Sequence, residues 1–498
     1  MHDCLQIPEV VRNICDESSK RDALHFGLTS SMFLQPALDS IWRELDGFKP
    51  IIGCFPADLW TVKRKTKEHF SPIDIYAPCN PQRLGTPQTL QGLQLATQFR
   101  PGALAPLLTH LEWISTERLE MVLGLSHVER VYPFVALLLA ESIVSLRMSF
   151  YTYIQVHTST VAYTLDRLPH LRVLRLRTET PGVALDTYLG PQTWGLDNLQ
   201  SLHISSTITS SIQHLASLPR LQTLEIDHLF SSADPAPLRP KPPAGFTSLR
   251  SLTVSFATVE DFAELISHME PQSNTIQSID ARLKGPSPQD RLQAQGVLNE
   301  ILERANLDTL TYLDICLGPE PSDFVFGEEQ IDTATEDLYQ PDGQIDFSAL
   351  LKLKNLERLH LGTTETIRIT PEDALRIPLQ WPMINHLGLG GGHPCRTVPQ
   401  IDHTHLLAIL EGCPALDTLF IQFDASRITG KERSRTGSFG LSLCNVGDSP
   451  IYSASRVTEF FKTNFPNLSG FAIHHNYARS GTPQPRLSSG GGVWLKQL

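Results

Sequence analysis

A glycine-rich segment, GLGGGH at residues 388–393, is where this sequence comes nearest to the pattern of a phosphate-binding loop. Such a loop holds phosphates with backbone N–H groups and needs a lysine followed by serine or threonine after its glycines. No such pair follows GLGGGH, and TGKERS at 429–434 has a lysine without a glycine-rich segment before it. The glycines therefore indicate a tight turn after the apolar segment INHLGL rather than nucleotide chemistry.

Histidines and acidic residues provide the next candidate chemistry, because both bind metal ions. HTH at 403–405 and HH at 474–475 each lack a second cluster at metal-ligand spacing. A calcium loop needs carboxylates at its positions 1 and 12, but PDGQIDF at 341–347 would place Leu338 and Ala349 there. No G-x-S-x-G nucleophile elbow occurs in the sequence. We therefore expect a protein that is not an enzyme and that has no metal and no cofactor.

Composition limits the classes of partner. The 498 residues are 41% hydrophobic and 19% charged, with a formal net charge of -12 at pH 7. A nucleic-acid binder needs a basic face, so we expect no nucleic-acid partner. The sequence has no apolar run long enough to cross a membrane and no signal-peptide pattern at its start. Its eight cysteines include no C-x-x-C pair, which is typical of a reducing compartment. We expect no membrane partner and a cytoplasmic or nuclear location, or both.

A repeated decad is the strongest pattern in the sequence, and any functional side chain must be positioned by it. Each copy has the form L-x-x-L-x-L, with other apolar residues as substitutes, and several successive copies begin 27 or 28 residues apart. That spacing fits one short strand and one helix per repeat. The copies are SIVSLRMSF (142–150), LPHLRVLRLR (168–177), LDNLQSLHIS (196–205), LPRLQTLEID (218–227), FTSLRSLTVS (246–255), SNTIQSIDAR (273–282), LDTLTYLDIC (307–316), LKNLERLHLG (353–362), WPMINHLGLG (381–390), CPALDTLFIQ (413–422) and FPNLSGFAIH (465–474).

This pattern resembles leucine-rich repeats, which implies an α/β solenoid with a curved parallel sheet on its concave side and helices outside. Alternate side chains of a strand point to opposite faces. The leucines are therefore expected in the interior, and the first, third and fifth residues of each strand on the concave face. The polar and aromatic mixture there suits recognition of a protein surface, although each residue taken alone has simple solvation as its alternative. The predicted binding residues are Arg147, Arg175, Arg177, His203, Glu225, Tyr312, Arg358, His360 and Phe420.

The sequence divides into four predicted regions. A helical module is expected over 1–48, a linker with helical connections over 49–104, the irregular repeats over 105–478 and a flexible tail over 479–498. Three segments interrupt the repeats and are predicted as inserted loops. The loops are a proline-rich one at 229–246, an acidic one at 317–350 and a mobile basic one at 425–450, which contains Arg427, Lys431, Arg433 and Arg435.

The first region contains three amphipathic helical patterns. In LQIPEVVRNICDE the apolar residues Ile7, Val10, Val11 and Ile14 recur at helical spacing after a proline suited to a first turn. Two further patterns follow, at 20–33 and 35–45. A module of this size has little core of its own. We therefore expect its apolar face to pack against another surface.

IPEVVRNIC followed by LTSSMFLQPALDSIWREL resembles the F-box of fungal F-box proteins, in which this segment precedes leucine-rich-repeat-like coils. The resemblance implies the substrate-recognition subunit of a cullin-RING (SCF-type) ubiquitin ligase. In that role the F-box binds a Skp-type adaptor of the cullin complex, and the repeats bind an unknown protein substrate. The alternative is a scaffold outside ubiquitin chemistry, in which the module only caps the first repeat. The residues that the resemblance assigns to adaptor binding are Ile7, Pro8, Glu9, Val11, Ile14, Leu24 and Leu28.

Overall fold

The computed structural model describes residues 3–43, 91, 94–95, 97–114, 132–150, 165, 167–178, 196–230, 245–271, 274–284, 294–317, 344–363, 366–390, 398–435, 437–447 and 449–472. The chain forms two compact units. The first comprises Met1–His214 with Leu218–Leu221, and the second comprises Leu215–Ser217 with Gln222–Leu498. None of the described helices combines the length and the apolar character needed to cross a membrane.

The first unit begins with the predicted helical module. Pro8 occupies the first turn of the first helix, where its missing N–H is not needed. Ser19 precedes the second helix, and its hydroxyl accepts a hydrogen bond from the Asp22 N–H. The elements are a 3₁₀ helix at Asp3–Gln6, α1 at Pro8–Glu17, α2 at Lys20–Thr29 and α3 at Ser31–Arg43.

A small apolar core holds the module together. Val11 and Cys15 of α1 are buried against Phe33 and Ala37 of α3. The Phe33 ring also stacks on the Phe26 ring of α2, with centroids 4.5 Å apart. The prediction of a helical apolar face is therefore correct in kind, but only part of that face lies in this core.

Parallel strands make up the sheet of the first unit. Each successive strand pairs with the previous one, and His110, Ser145, Val173 and Ser201 occupy equivalent positions. PLLTHLEWIS (106–115), in which Leu108, Leu111 and Trp113 fit the same L-x-x-L-x-L pattern, is therefore a further repeat copy. The strands are β1 at His110–Ile114, β2 at Ser145–Phe150, β3 at Val173–Thr178 and β4 at Ser201–Ile204, with a short β5 at Thr207–Ile208 and 3₁₀ helices at Tyr132–Leu138 and Thr209–Ser211.

The second unit has a longer parallel sheet of the same construction. Its strands are β6 at Thr223–Phe230, β7 at Ser251–Phe256, β8 at Ser278–Leu283, β9 at Tyr312–Cys316, β11 at Arg358–Gly362, β13 at His386–Leu389, β14 at Thr418–Phe420, β15 at Leu443–Asn445 and β16 at Gly470–Ala472. They pair in chain order. A separate two-stranded sheet pairs β10 at Gln344–Asp346 with β12 at Thr366–Arg368, and a 3₁₀ helix spans Phe347–Lys352.

One buried residue per strand forms a continuous apolar row through this sheet. Its members are Leu224, Leu252, Ile279, Leu313, Leu359, Leu387, Leu419, Cys444 and Phe471, and each is at most 4% exposed. Stacked strands bury these residues where a single strand would not. The predicted leucine-rich-repeat-like α/β architecture is confirmed by the parallel register in both units and, in the second unit, by the helices that lie between the strands.

Helices alternate with the strands of the second unit. Thr258, Thr370 and Asp402 each form a reciprocal capping box at the start of a helix, which fixes where α5, α7 and α8 begin. The helices are α4 at Ile212–Ala216, α5 at Val259–Ser267, α6 at Ala294–Arg304, α7 at Pro371–Gln380, α8 at His403–Gly412 and α9 at Ala454–Asn464. Their apolar faces are buried, so the helices cover the interior side of the repeats.

Two sequence expectations need correction. The fifth residues of several strands, predicted on the exposed face, are buried: Ser149, Ser205, Ser255 and Cys316. Ser205 illustrates the reason, because its hydroxyl accepts a hydrogen bond from the Thr178 N–H of the neighbouring strand. Leu443–Asn445, inside the predicted loop at 425–450, forms β15 and joins the sheet.

Other predicted regions fall mainly outside the described residues. The proline-rich loop lies there over 231–244, the acidic loop over 318–343 and the tail over 479–498. The linker at 49–104 is described only at 91, 94–95 and 97–104.

Candidate functional site

Six side chains gather on four neighbouring strands of the second unit, on the sheet face opposite the leucine row. Two register rows bring them together, because in-register residues of adjacent parallel strands lie about 4.8 Å apart. Tyr312 aligns with Arg358 and then His386, and Asp314 aligns with His360, Gly388 and then Phe420. We call Tyr312, Asp314, Arg358, His360, His386 and Phe420 the Asp314 cluster.

Asp314 is the hydrogen-bonding centre of the cluster. Its Oδ1 lies 2.8 Å from Nδ1 of His360, and its Oδ2 lies 3.4 Å from the Tyr312 hydroxyl and 3.6 Å from Nη2 of Arg358. The carboxylate side chain is only 8% exposed. A buried carboxylate without partners is costly, so these three donors explain how an acidic residue is accommodated here.

The electrostatics keep Asp314 ionised. Burial by itself raises the pKa of the Asp314 carboxyl, but the hydrogen bond from His360 and the nearby charges of His360, Arg358 and Arg282 outweigh it and lower that pKa. The pKa of Tyr312 is raised, first by burial and then by the Asp314 charge. The phenol therefore stays protonated and remains a hydrogen-bond donor to the carboxylate.

Arg358 presents the positive charge of the cluster. Its guanidinium lies 5.2 Å from the centroid of the Tyr312 ring, and its side chain is 39% exposed. This cation–π geometry and the Asp314 carboxylate hold the group in one position. On the neighbouring strand β8, which lies outside the cluster, Arg282 forms an ion pair with Asp280 at 3.0 Å. Arg358 is the arginine of the cluster itself.

An aromatic half of the cluster surrounds Gly388. The rings of His360, His386 and Phe420 have centroids 5.7–6.4 Å apart and meet edge to face. A Cβ at Gly388 would lie 2.5 Å from Cδ2 of His360, so only glycine leaves room for that ring. The pKa of His386 is lowered to about 4 by burial and by the charges of Arg358 and His360. His386 is therefore uncharged at neutral pH.

The cluster contains residue types that occur in catalytic sites and in binding sites. A carboxylate that holds an imidazole by Nδ1 is half of a nucleophile-activating arrangement. Among the described residues, no serine, threonine or cysteine hydrogen-bonds to the other nitrogen of His360. What remains is a fixed group of arginine, tyrosine, phenylalanine and histidine side chains, and interface hot spots are rich in arginine and in aromatic residues.

The structure brings together four of the predicted concave-face residues, namely Tyr312, Arg358, His360 and Phe420, in this cluster. Asp314 and His386 complete it, although the binding-residue prediction omitted them. Aligning the decads position by position identifies both, because Asp314 and His360 share one column and His386 shares a column with Arg358.

The other predicted binding residues lie elsewhere. In the first unit, Arg147, Arg175 and His203 share a row with Glu112, whose carboxylate is 2.9 Å from Arg147. Arg177 lies two residues further along β3 and is exposed. In the second unit, Glu225 is a half-buried residue of β6. These residues do not join the Asp314 cluster.

Four of the predicted adaptor-binding residues are exposed apolar side chains of the helical module. Ile7, Ile14, Leu24 and Leu28 are 48%, 36%, 43% and 68% exposed. Pro8 and Glu9 are exposed as well. Val11, by contrast, is 2% exposed and lies in the module core. Its assignment to the adaptor-binding surface is therefore wrong. Helical spacing identified the apolar face of α1, but it does not show which residues of that face are buried within the module and which are exposed.

Comparisons with known proteins give a limited result. No protein-family model matches the sequence, and no curated protein matches it. Among solved structures, the chain is similar to a crystal structure of an internalin from Listeria monocytogenes. That similarity has a TM-score of 0.38 and 14% sequence identity, and it covers 73% of this chain and 81% of that chain. The leucine-rich-repeat-like description here accordingly depends on the strand register itself.

Proposed function

We propose that this chain is a non-catalytic substrate-recognition subunit of a cullin-RING ubiquitin ligase. In this role the helical module binds a Skp-type adaptor, and the repeat sheet binds a protein target. The supporting observation is that α1 and α2 leave Ile7, Ile14, Leu24 and Leu28 exposed while the module core closes without them. The role includes the location expected from the sequence, in the cytoplasm, the nucleus or both.

The exposed side chains are sufficient to support an interface. Ile7 immediately precedes α1, and Ile14 lies within it. Leu24 and Leu28 lie on one side of α2, one turn from each other. Fully burying a large aliphatic side chain is worth about 1.5–3 kcal/mol. Four side chains that are about half exposed therefore offer roughly 3–6 kcal/mol on burial.

The Asp314 cluster is the proposed contact for the target. Arg358 and Tyr312 are held by the buried Asp314, and His360 and Phe420 pack around Gly388. Side chains fixed before binding lose less conformational entropy when a partner arrives. The cluster therefore supports binding of a protein surface that contributes both an acidic group for Arg358 and an apolar group for Phe420.

Co-purification with a Skp-type adaptor tests the proposal. We expect the wild-type chain to form a stable complex during size-exclusion chromatography. Replacing Ile7→Asp together with Pro8→Ala should abolish it, because a carboxylate would enter the apolar contact. Leu375→Asp is the matched control: Leu375 is 55% exposed on α7 of the second unit, so this variant should still bind.

Circular dichroism must show that the module variant keeps its helices. If the folded wild-type chain does not co-purify with the adaptor, the ligase-subunit proposal fails and the scaffold alternative is favoured. If Leu375→Asp weakens the complex as much as the module variant does, the assignment of the contact to α1 is wrong.

A further inference from the structure

The basic segment at 431–435 lies within the loop predicted at 425–450, and hydrogen bonds hold it against the rest of the second unit. Exposure alternates along it: Lys431, Arg433 and Arg435 are exposed, and Glu432 and Ser434 are partly buried. Such alternation is typical of an extended chain with one side toward the protein. Gly430 and Gly437, with φ of 83° and 101°, provide the turns at either end.

The inward side of the segment is fixed by hydrogen bonds. The Glu432 carboxylate accepts from the backbone N–H groups of Thr429 and Gly430 at 2.7 and 2.9 Å. Burial raises the pKa of Glu432, but these hydrogen bonds and the one from the Thr429 hydroxyl lower it to about 2. Glu432 therefore stays ionised and bound to the turn at neutral pH.

Asn464 and Glu411 anchor the second half of the segment. Asn464, which is 1% exposed, accepts from the Ser434 N–H at 2.9 Å and donates to the Glu432 carbonyl at 3.0 Å. Glu411 accepts from the Ser434 hydroxyl and from the Arg435 N–H at 3.1 and 2.6 Å. The carboxylates of Glu432 and Glu411 are thus occupied by inward-facing donors.

The outward side carries three cations, Lys431, Arg433 and Arg435. The Arg433 guanidinium donates to the carbonyls of Gly430 and Glu432, which fixes its position. Among the described residues, none of these three side chains forms an ion pair with a carboxylate. The segment therefore presents three positively charged side chains at alternate positions.

From this geometry we propose that residues 431–435 bind an acidic peptide segment in extended conformation, with carboxylates at alternate positions. In an extended peptide, side chains two residues apart lie on the same side at a spacing of about 6.6–7 Å, so its carboxylates can face the three cations together. A single-stranded nucleic acid is the less suitable polyanion, because residues 431–435 include no aromatic side chain on which its bases could stack. This binding surface is independent of the proposed ligase role.

Fluorescence anisotropy of a labelled peptide of alternating glutamate and serine, titrated with the full chain at low salt, tests this inference. We expect saturable binding that weakens as salt is added. The triple variant Lys431→Gln, Arg433→Gln, Arg435→Gln should raise the Kd about tenfold, as expected for three exposed ion pairs. The charge-preserving variant Lys431→Arg, Arg433→Lys, Arg435→Lys should bind like wild type.

A matched control removes three other exposed cations of the second unit: Lys352→Gln, Arg376→Gln and Lys462→Gln. It should leave the Kd nearly unchanged. Absence of peptide binding would overturn the inference. An equal loss of affinity in the control variant would also overturn it, because net charge alone would then explain binding. A deoxythymidine oligonucleotide of equal charge that binds as tightly as the peptide would overturn the assignment of the ligand as a peptide.

Discussion

Replacing Asp314→Ala tests whether the buried carboxylate organises the candidate site. The substitution removes the acceptor for His360, Tyr312 and Arg358 and leaves their donors facing one another. A hydrogen bond to a charged group is worth about 1.5–3 kcal/mol. The contact with His360 at 2.8 Å qualifies fully, whereas the contacts at 3.4 and 3.6 Å are weaker. The Arg358 and His360 side chains are 39% and 20% exposed and so regain some hydration.

We therefore expect Asp314→Ala to lower the local stability of β9 and β11 by about 2–3 kcal/mol. Asp308→Ala is the matched control, because the ion pair of Asp308 with Lys354 joins side chains that are 72% and 67% exposed. Exposed pairs contribute at most about 1 kcal/mol. Native-state hydrogen exchange read by mass spectrometry on peptides covering β9 and β11 measures both values. Equal exchange in the two variants would refute the central role of Asp314.

Three further predictions address other features of the fold. Gly388→Ala should destabilise the second unit by about 1–3 kcal/mol through the clash with His360. Gly296→Ala in α6 is the control, because its added Cβ would meet no neighbouring atom, and it should stabilise the unit by about 0.5–1 kcal/mol. Urea unfolding measures both free-energy changes, and equal effects would contradict the packing at Gly388. Asp402→Ala should cost about 1 kcal/mol at pH 7 by removing the cap of α8. Burial raises the pKa of Asp402, but hydrogen bonds from Thr404 and His405 lower it to about 2. The stabilisation from Asp402 is therefore present above its unfolded-state pKa of about 3.9 and is lost as the pH falls through 2. A stability difference between Asp402→Ala and wild type that persists at pH 1.5 in urea unfolding would contradict this prediction. Burial raises the pKa of the Cys413 thiol to about 12. Iodoacetamide at pH 8 should therefore label the exposed Cys4 of the native protein and leave Cys413 unlabelled, as measured by peptide mass spectrometry. Equal labelling of the two cysteines would contradict the burial of Cys413.

Local sequence patterns predicted the repeat strands other than β15, together with their buried residues. Alternate side chains of a strand point to opposite faces of the sheet, so the pattern L-x-x-L-x-L directly identifies which residues of each strand are buried. Ala281, the one small residue at an apolar position of its decad, still fits between Val254 and Ile315 in the register. The buried fifth residues were mispredicted because alternation ignores the end of a strand, where the chain turns back toward the interior.

The Asp314 cluster needed information that no single repeat contains. Asp314 and His360 are separated by 46 residues, and their pairing depends on which strands become neighbours. Residues 425–450 were mispredicted for a related reason, since Asn464 and Glu411, which anchor the basic segment, lie outside it. In the helical module, periodicity identified an apolar face, but packing of α3 decided that Val11 is buried and Ile14 is not.

Calorimetric titration of the purified chain with a purified Skp-type adaptor tests the central claim most directly. We expect binding at a ratio of one to one, with a negative heat-capacity change because apolar surface is buried. Leu24→Asp with Leu28→Asp should abolish the heat of binding, since both leucines are exposed on α2. Absence of binding by the folded wild-type chain, or unchanged binding by the folded double variant, would contradict the claim.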